Sequence, residues 1–221
     1  MTKTKTSVLQ NLRQAVLSTL VLLLICGLAF PVLMTGLGKL IFPHQAGGSL
    51  ITADGAVVGA TFVGQDLNDP RFLQGRPSQY NYNTYFERDG LKYYLDGSEY
   101  AGLSSGSANY ANSNPALVER VQADLDAFLA THPGLSVDAI PGDLLTASGS
   151  GLDPHISPAS AAVQIPALAE NTGLSESQLE AIIAANTTGK ALGIFGEATV
   201  NVLGVNLDIA QQLGLVGEVN K

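Results

Sequence analysis

The sequence predicts an α+β protein: one N-terminal transmembrane helix followed by a single mixed α/β domain outside the cytoplasm. Three observations predict it. Between Arg13 and Lys39 twenty-five consecutive residues carry no charge. Beyond Lys39, β-branched segments broken by Asp-Gly precede several helical segments with cap residues and apolar stripes. The one cysteine, Cys26, lies inside the uncharged run, so the exported part has neither a disulfide nor a thiolate. About 180 residues bury an adequate core without such staples.

The uncharged run, residues 14–38, makes a helix roughly 37 Å long at ~1.5 Å per residue, enough to cross a hydrocarbon core of ~30 Å. Lys3, Lys5 and Arg13 precede it, and no acidic residue occurs before Asp54. The positive-inside bias keeps residues 1–13 cytoplasmic and sends residues 39–221 across the membrane. A cleaved signal peptide is the rival reading; its apolar region is usually only ~7–15 residues. Pro31 is expected to kink the helix near its outer end.

Seven basic residues after Lys39 face all nineteen Asp and Glu, so the chain beyond Lys39 carries −12 against +4 up to and including it. Such acidity excludes a grip on nucleic-acid phosphates, which require Lys and Arg.

Ser49–Thr52 and Ala56–Val63 read as strands of a hairpin, because Asp54-Gly55 tolerates the positive φ of a tight turn. Residues 80–110 hold all seven tyrosines amid Asn, Gly and Ser, a surface excursion with a short hairpin around Glu87–Tyr94. Asn114-Pro115 opens a helix with an apolar stripe of Leu117, Val121, Leu125 and Phe128, flanked by Val118 and Leu129, and His132-Pro133-Gly134 stops it. Thr146–Pro158 is too rich in Gly, Ser and Pro for regular structure. Ser157-Pro158 starts a helix through Ala169. Ser175 and Gln178 have capping-box spacing and lead another to about Ala185. Thr199–Leu203 reads as a buried strand and Leu207–Leu213 as a final short helix.

Several chemistries lack their motifs. There is no GxxxxGK[ST], no GxSxG elbow, no HExxH, no phosphorylated DKTGT and no carbonyl filter of the TVGYG kind. By itself the chain is neither an energy-coupling ATPase nor a channel. Ser148, Ser150, Asp153 and His155 permit two drawings: a serine hydrolase or partial metal site, and a shaped recognition or packing loop. Arg76 likewise reads as an ion pair inside the domain or a contact to a partner.

These residues together resemble the C subunit of the Kdp potassium-transporting ATPase. The carriers are Gly48 to Ile51, Phe72-Leu73-Gln74-Gly75-Arg76-Pro77-Ser78, Ser107 to Asn109, Ser113 to Leu117, Asp143 to Pro158, and Gly193, Gly196-Glu197 and Val200 to Leu203. The SGSGLDPHISP run is the specific part. The resemblance implies a non-catalytic accessory subunit, single-pass in the cell membrane, that stabilises assembly and promotes ATP use by the ATPase subunit. It implies a potassium-pathway subunit and a P-type ATPase subunit as partners, with a small fourth subunit and membrane lipid. ATP and K+ are then handled by the complex, with no metal or cofactor held by this chain. Arg76, Pro77, Ser78, Asn114, Ser148, Gly149, Ser150, Gly151, Asp153 and His155 are the candidates for partner contact or loop shaping. Gln164 matches a family glutamine associated with nucleotide contact, although the exported part is a place where ATP is scarce. An anchored hydrolase and a free-standing binding module are the other function classes. Three features depart from the family pattern. Residues 82–103 form a tyrosine-rich insertion, Ala167 and Thr199 replace arginines, and Asn186 stands where a histidine is common.

Overall fold

The computed structural model describes residues 7–94 and 97–221. Two compact units divide at Ser49 and Leu50.

The first unit is built on one long apolar helix, α1, Val8–Ile41. Ser7 caps it with a full capping box, its hydroxyl accepting from the Gln10 amide while the Gln10 side chain accepts from the Ser7 amide. All residues from Val8 to Leu37 are exposed, as a helix whose solvent is lipid requires. Pro31 does not end the ladder. The turn before it, Ile25–Ala29, widens to a π-helix in which the Phe30 amide reaches back to the Ile25 carbonyl. The proline ring crowds the carbonyl four residues earlier, at Gly27, and widening relieves that contact. A short helix, α2, Pro43–Ala46, follows.

The second unit starts with β1 (Leu50–Ala53) and β2 (Ala56–Ala60), an antiparallel hairpin. Asp54 and Gly55 both have positive φ, 50° and 78°, as the type I′ turn demands. The Asp54 carboxylate also accepts the amides of Gly217 and Glu218, bringing β8 (Val219–Asn220) alongside β1. Strands β3 (Tyr85–Arg88) and β4 (Leu91–Tyr94) form a second hairpin around Asp89-Gly90. Next come α3 (Pro115–Thr131), β5 (His155–Ile156), α4 (Pro158–Ala162), α5 (Ile165–Thr172) and α6 (Glu176–Ala185). The chain closes with β6 (Thr187–Thr188), β7 (Thr199–Asn201) and α7 (Val202–Gln212) before β8. A third antiparallel sheet has the order β5-β7-β6.

Helix α7 is the centre of this unit. Residues Val202 to Leu207, Ile209 and Ala210 are all buried. One side packs Val202, Val205 and Ile209 against Ile156, Leu168, Leu179 and Val200, while Leu203 and Leu207 meet Ile51 across the other side. A separate cluster joins Phe128 on α3 to Ile140 and Leu144.

Several expectations are corrected. The helix expected from Ser157 to Ala169 is two helices, because Pro166 cannot donate to the carbonyl four residues back and the chain turns at Val163-Gln164. The strand expected through Leu203 stops at Asn201, whose side chain caps α7 by accepting the Gly204 amide, so α7 begins five residues before the expected Leu207. Thr146–Pro158 is not wholly irregular, since His155 and Ile156 pair with Asn201 and Val200. Val118 is exposed and lies off the α3 stripe, of which only Phe128 is fully buried. The caps at Asn114 and Ser175 stand as the sequence predicts.

Ile209, with no exposed surface, is among the largest enclosed side chains. Ile209→Ala leaves a cavity at the centre of the unit and is expected to cost about 2–5 kcal/mol. Thermal unfolding should show a midpoint about 5–15 °C lower.

Candidate functional site

Residues 72–78 have no regular secondary structure, yet their backbone is held as firmly as a strand. The Leu73 amide donates to Asn206 Oδ1 at 2.7 Å, and Asn206 Nδ2 donates to the Leu73 carbonyl at 3.0 Å. Next along the chain, the Gln74 amide donates to Gln164 Oε1 at 2.8 Å, and Gln164 Nε2 returns to the Gln74 carbonyl at 3.2 Å. Two side-chain amides thus stand in for a neighbouring strand. Both are buried, at 3% and 1% exposure, so the bonds form away from competing water. A second proton on Gln164 Nε2 bonds the Ser160 carbonyl at 3.0 Å.

Beyond Gln74 the strap clamps the Gly/Ser loop. Arg76 forms an ion pair with Asp153 at 3.1 Å and donates through Nε to the Thr146 carbonyl at 3.2 Å. Of its two readings, the ion pair inside the domain is the one observed. The Ser78 hydroxyl donates to the Gly151 carbonyl at 2.6 Å and accepts the amides of Tyr80 and Tyr82. Tyr82 turns back and donates to the Arg76 carbonyl at 2.7 Å. Burial, then the nearby Asp153 carboxylate, pushes the Tyr82 phenol above its ordinary range, so it stays a neutral donor. Pro77, half-buried, lines a cleft of about 410 Å³ between the strap and α3.

Inside the loop, Ser148 Oγ accepts the Gly151 amide at 2.8 Å and Ser150 Oγ accepts the Leu152 amide at 3.1 Å. Gly151 needs its φ of 66°, and a Cβ there would lie 2.6 Å from the Gly106 carbonyl oxygen. Gly149 has open space around it and carries no such demand. Asp153 Oδ1 accepts the His155 amide at 3.0 Å, and the His155 ring lies 3.7 Å from the same oxygen. Among the described residues no hydrogen bond joins that ring to Ser148 or Ser150. The hydroxyls shape the loop, and among the described residues no histidine ring bonds either of them as an activating base would. Asn114 caps α3 through the Ala116 amide.

Three participants escaped sequence reasoning. Arg120 pairs with Asp124 one helical turn away and donates to the Leu145 carbonyl at 3.3 Å, next to the carbonyl Arg76 takes. Its signal was the i,i+4 spacing. Burial lifts the Asp124 carboxyl above its ordinary range despite this partner. Asp143 accepts the Ser157 amide at 2.7 Å and the hydroxyls of Ser157 and Ser160, at the start of α4. Burial alone pushes its carboxyl up, but these bonds prevail and hold it below the ordinary value. Asn206 had only the signal of an amide amid the apolar residues Val202 to Leu207.

The resemblance placed nucleotide contact at Gln164. The geometry does not fit that role: the side chain is enclosed, and its oxygen and both amide protons are committed to Gln74 and Ser160. Among the described residues no group of three metal-ligating side chains is assembled.

Comparison with known proteins shows the family. The family model for "K+-transporting ATPase, c chain" matches residues 12–211. A potassium-transporting ATPase KdpC subunit of Clostridium kluyveri is 58% identical over 206 residues, 93% of this chain and 96% of the relative. One from Clostridioides difficile is 48% identical over 208 residues, 94% of this chain and all of the relative. One from Caldanaerobacter subterraneus is 39% identical over 204 residues, 92% and 96% of the two chains.

Gln164→Ala strands the Gln74 amide and carbonyl, and is expected to lower stability by about 2–4 kcal/mol by denaturant titration. The sign for Asp143 follows from its depressed pKa. Its contribution is present above the unfolded value near 3.8 and is lost as pH falls through the lower folded value. Asp143→Asn should therefore be less stable at pH 7, by about 1–3 kcal/mol, with the gap to wild type narrowing as pH falls below the unfolded value near 3.8.

Proposed function

We propose, from the premise that the chain belongs to the KdpC family of potassium-transporting ATPase c chains, that it stabilises the assembled transporter and promotes ATP use by the ATPase subunit without binding nucleotide. The observation that carries this reading is the commitment of the domain's candidate polar groups to its own backbone. Arg76, Ser78, Ser148, Ser150 and Gln164 all hold the strap or the loop. A domain whose reactive side chains are spent on shape acts on partners through its surface.

Helix α1 supplies the second half of the proposal. A 34-residue apolar helix with no buried residue carries the chain into the bilayer and docks against the potassium-pathway subunit. Lys3, Lys5 and Arg13 at its N-terminal end support, through the positive-inside bias, a cytoplasmic N-terminus with the acidic domain outside. Any effect on ATP use then passes through the other subunits, because the domain and the nucleotide are on opposite sides of the membrane.

Membranes lacking this chain should yield an ATPase with a raised KM for ATP and lower recovery of intact complex. The purified chain alone should show no ATP-induced shift in its unfolding midpoint. A shift growing with ATP concentration would transfer the nucleotide to this subunit and overturn the indirect route.

A further inference from the structure

Around Lys221, which follows β8, three oxygens from separate parts of the chain converge. Its ammonium donates to Asp208 Oδ1 at 2.6 Å, to the Gly204 carbonyl at 2.9 Å and to Asn186 Oδ1 at 3.0 Å. A lysine head has three donors and no acceptor, and here three oxygens receive it. The site keeps a path to solvent, with 35% of the Lys221 side chain and 27% of that of Asp208 exposed.

Groups other than Lys221 hold these oxygens in place. Asn186 Nδ2 donates to Asp208 Oδ2 at 2.7 Å and to the Ile182 carbonyl at 2.9 Å, which fixes the carboxylate and turns Asn186 Oδ1 towards the ammonium. Gly204 lies in the first turn of α7, whose start Asn201 caps, so its carbonyl has the direction of the helix. A Cβ at position 204 would collide with Asn186 Oδ1, and glycine is what admits that amide. Only Lys221 arrives on a long, flexible stem.

Oxygens fixed without the lysine accept other cations of the same size and charge. Ammonium and K+ each carry one positive charge and are nearly equal in radius, and carbonyl-type oxygens replace the water around K+ readily. One carboxylate with two neutral oxygens supplies little charge for a divalent ion. Two of the three distances, 2.9 and 3.0 Å, also exceed the ~2.3–2.6 Å of Ca2+ and the ~2.0–2.1 Å of Mg2+. Na+ is likewise too small to meet all three oxygens where they stand. We infer that Asp208, Asn186 and Gly204 form a binding site for a K+-sized monovalent cation, which Lys221 fills as a tethered substitute. A K+ ion that enters displaces Lys221 and frees the end of β8, whose Val219 and Asn220 pair with β1. All these groups lie in the second unit, so the site stands apart from the assembly reading.

The test follows thermal unfolding of the full chain in a non-ionic detergent at constant ionic strength, with choline chloride exchanged for KCl, NH4Cl or NaCl. Lys221→Met removes the ammonium and keeps the stem. Its midpoint should rise by about 2–4 °C at about 300 mM K+ or NH4+, and by less than half as much in Na+. Wild type should need at least about fivefold more K+ to reach half that rise, because the tethered ammonium competes. Asp208→Asn added to Lys221→Met should abolish the response to K+. If Lys221→Met does not fold in choline chloride, K+ should restore folding where Na+ does not. Equal responses to K+ and Na+, no response to either, or a wild type as responsive as the variant would overturn the site.

Discussion

Two buried side-chain amides hold the second unit together. Asn206 and Gln164 pair with the backbones of Leu73 and Gln74 in the way a strand pairs with its neighbour. This arrangement lets a strap with no regular structure cross the core beside Ile156 and Val205 without leaving the amides and carbonyls of Leu73 and Gln74 unpaired. Everything further along the strap follows from that anchorage. Arg76 and Ser78 meet Asp153 and Gly151 because Leu73 and Gln74 are already placed.

The polar side chains with most chemical promise are likewise engaged with the backbone. A hydroxyl that accepts a backbone amide, as Ser148 and Ser150 do, and a guanidinium that spans a carboxylate and a carbonyl, as Arg76 does, shape the chain locally. The Gly/Ser loop becomes a junction where the strap, the Ser105-Gly106 segment and the start of α7 are joined through the carbonyls of Gly151, Ser150 and Pro154.

Local signals are legible where a few neighbouring residues settle the outcome: Asp54-Gly55 turns its hairpin, and Asn114-Pro115 and Ser175 with Gln178 open their helices. Two local signals were passed over: Pro166, which divides α4 from α5, and Asn201, which ends β7 by capping α7. Two-residue strands such as β5 and β6 carry too few residues for a period to be seen, and exist because β7 lies between them.

From the sequence alone came the apolar helix, the charge contrast about it, the caps and turns, and a family resemblance resting on the SGSGLDPHISP run. These are properties of adjacent residues or of composition, so no fold is needed to read them. The tertiary structure alone decided that Gln164 and Asn206 serve the backbone of residues 90 and 133 positions away, that Arg76 is paired internally, and that Lys221 meets Asn186, Gly204 and Asp208. Each of those depends on which distant groups arrive within about 3 Å, and hydrogen bonds act only over that range.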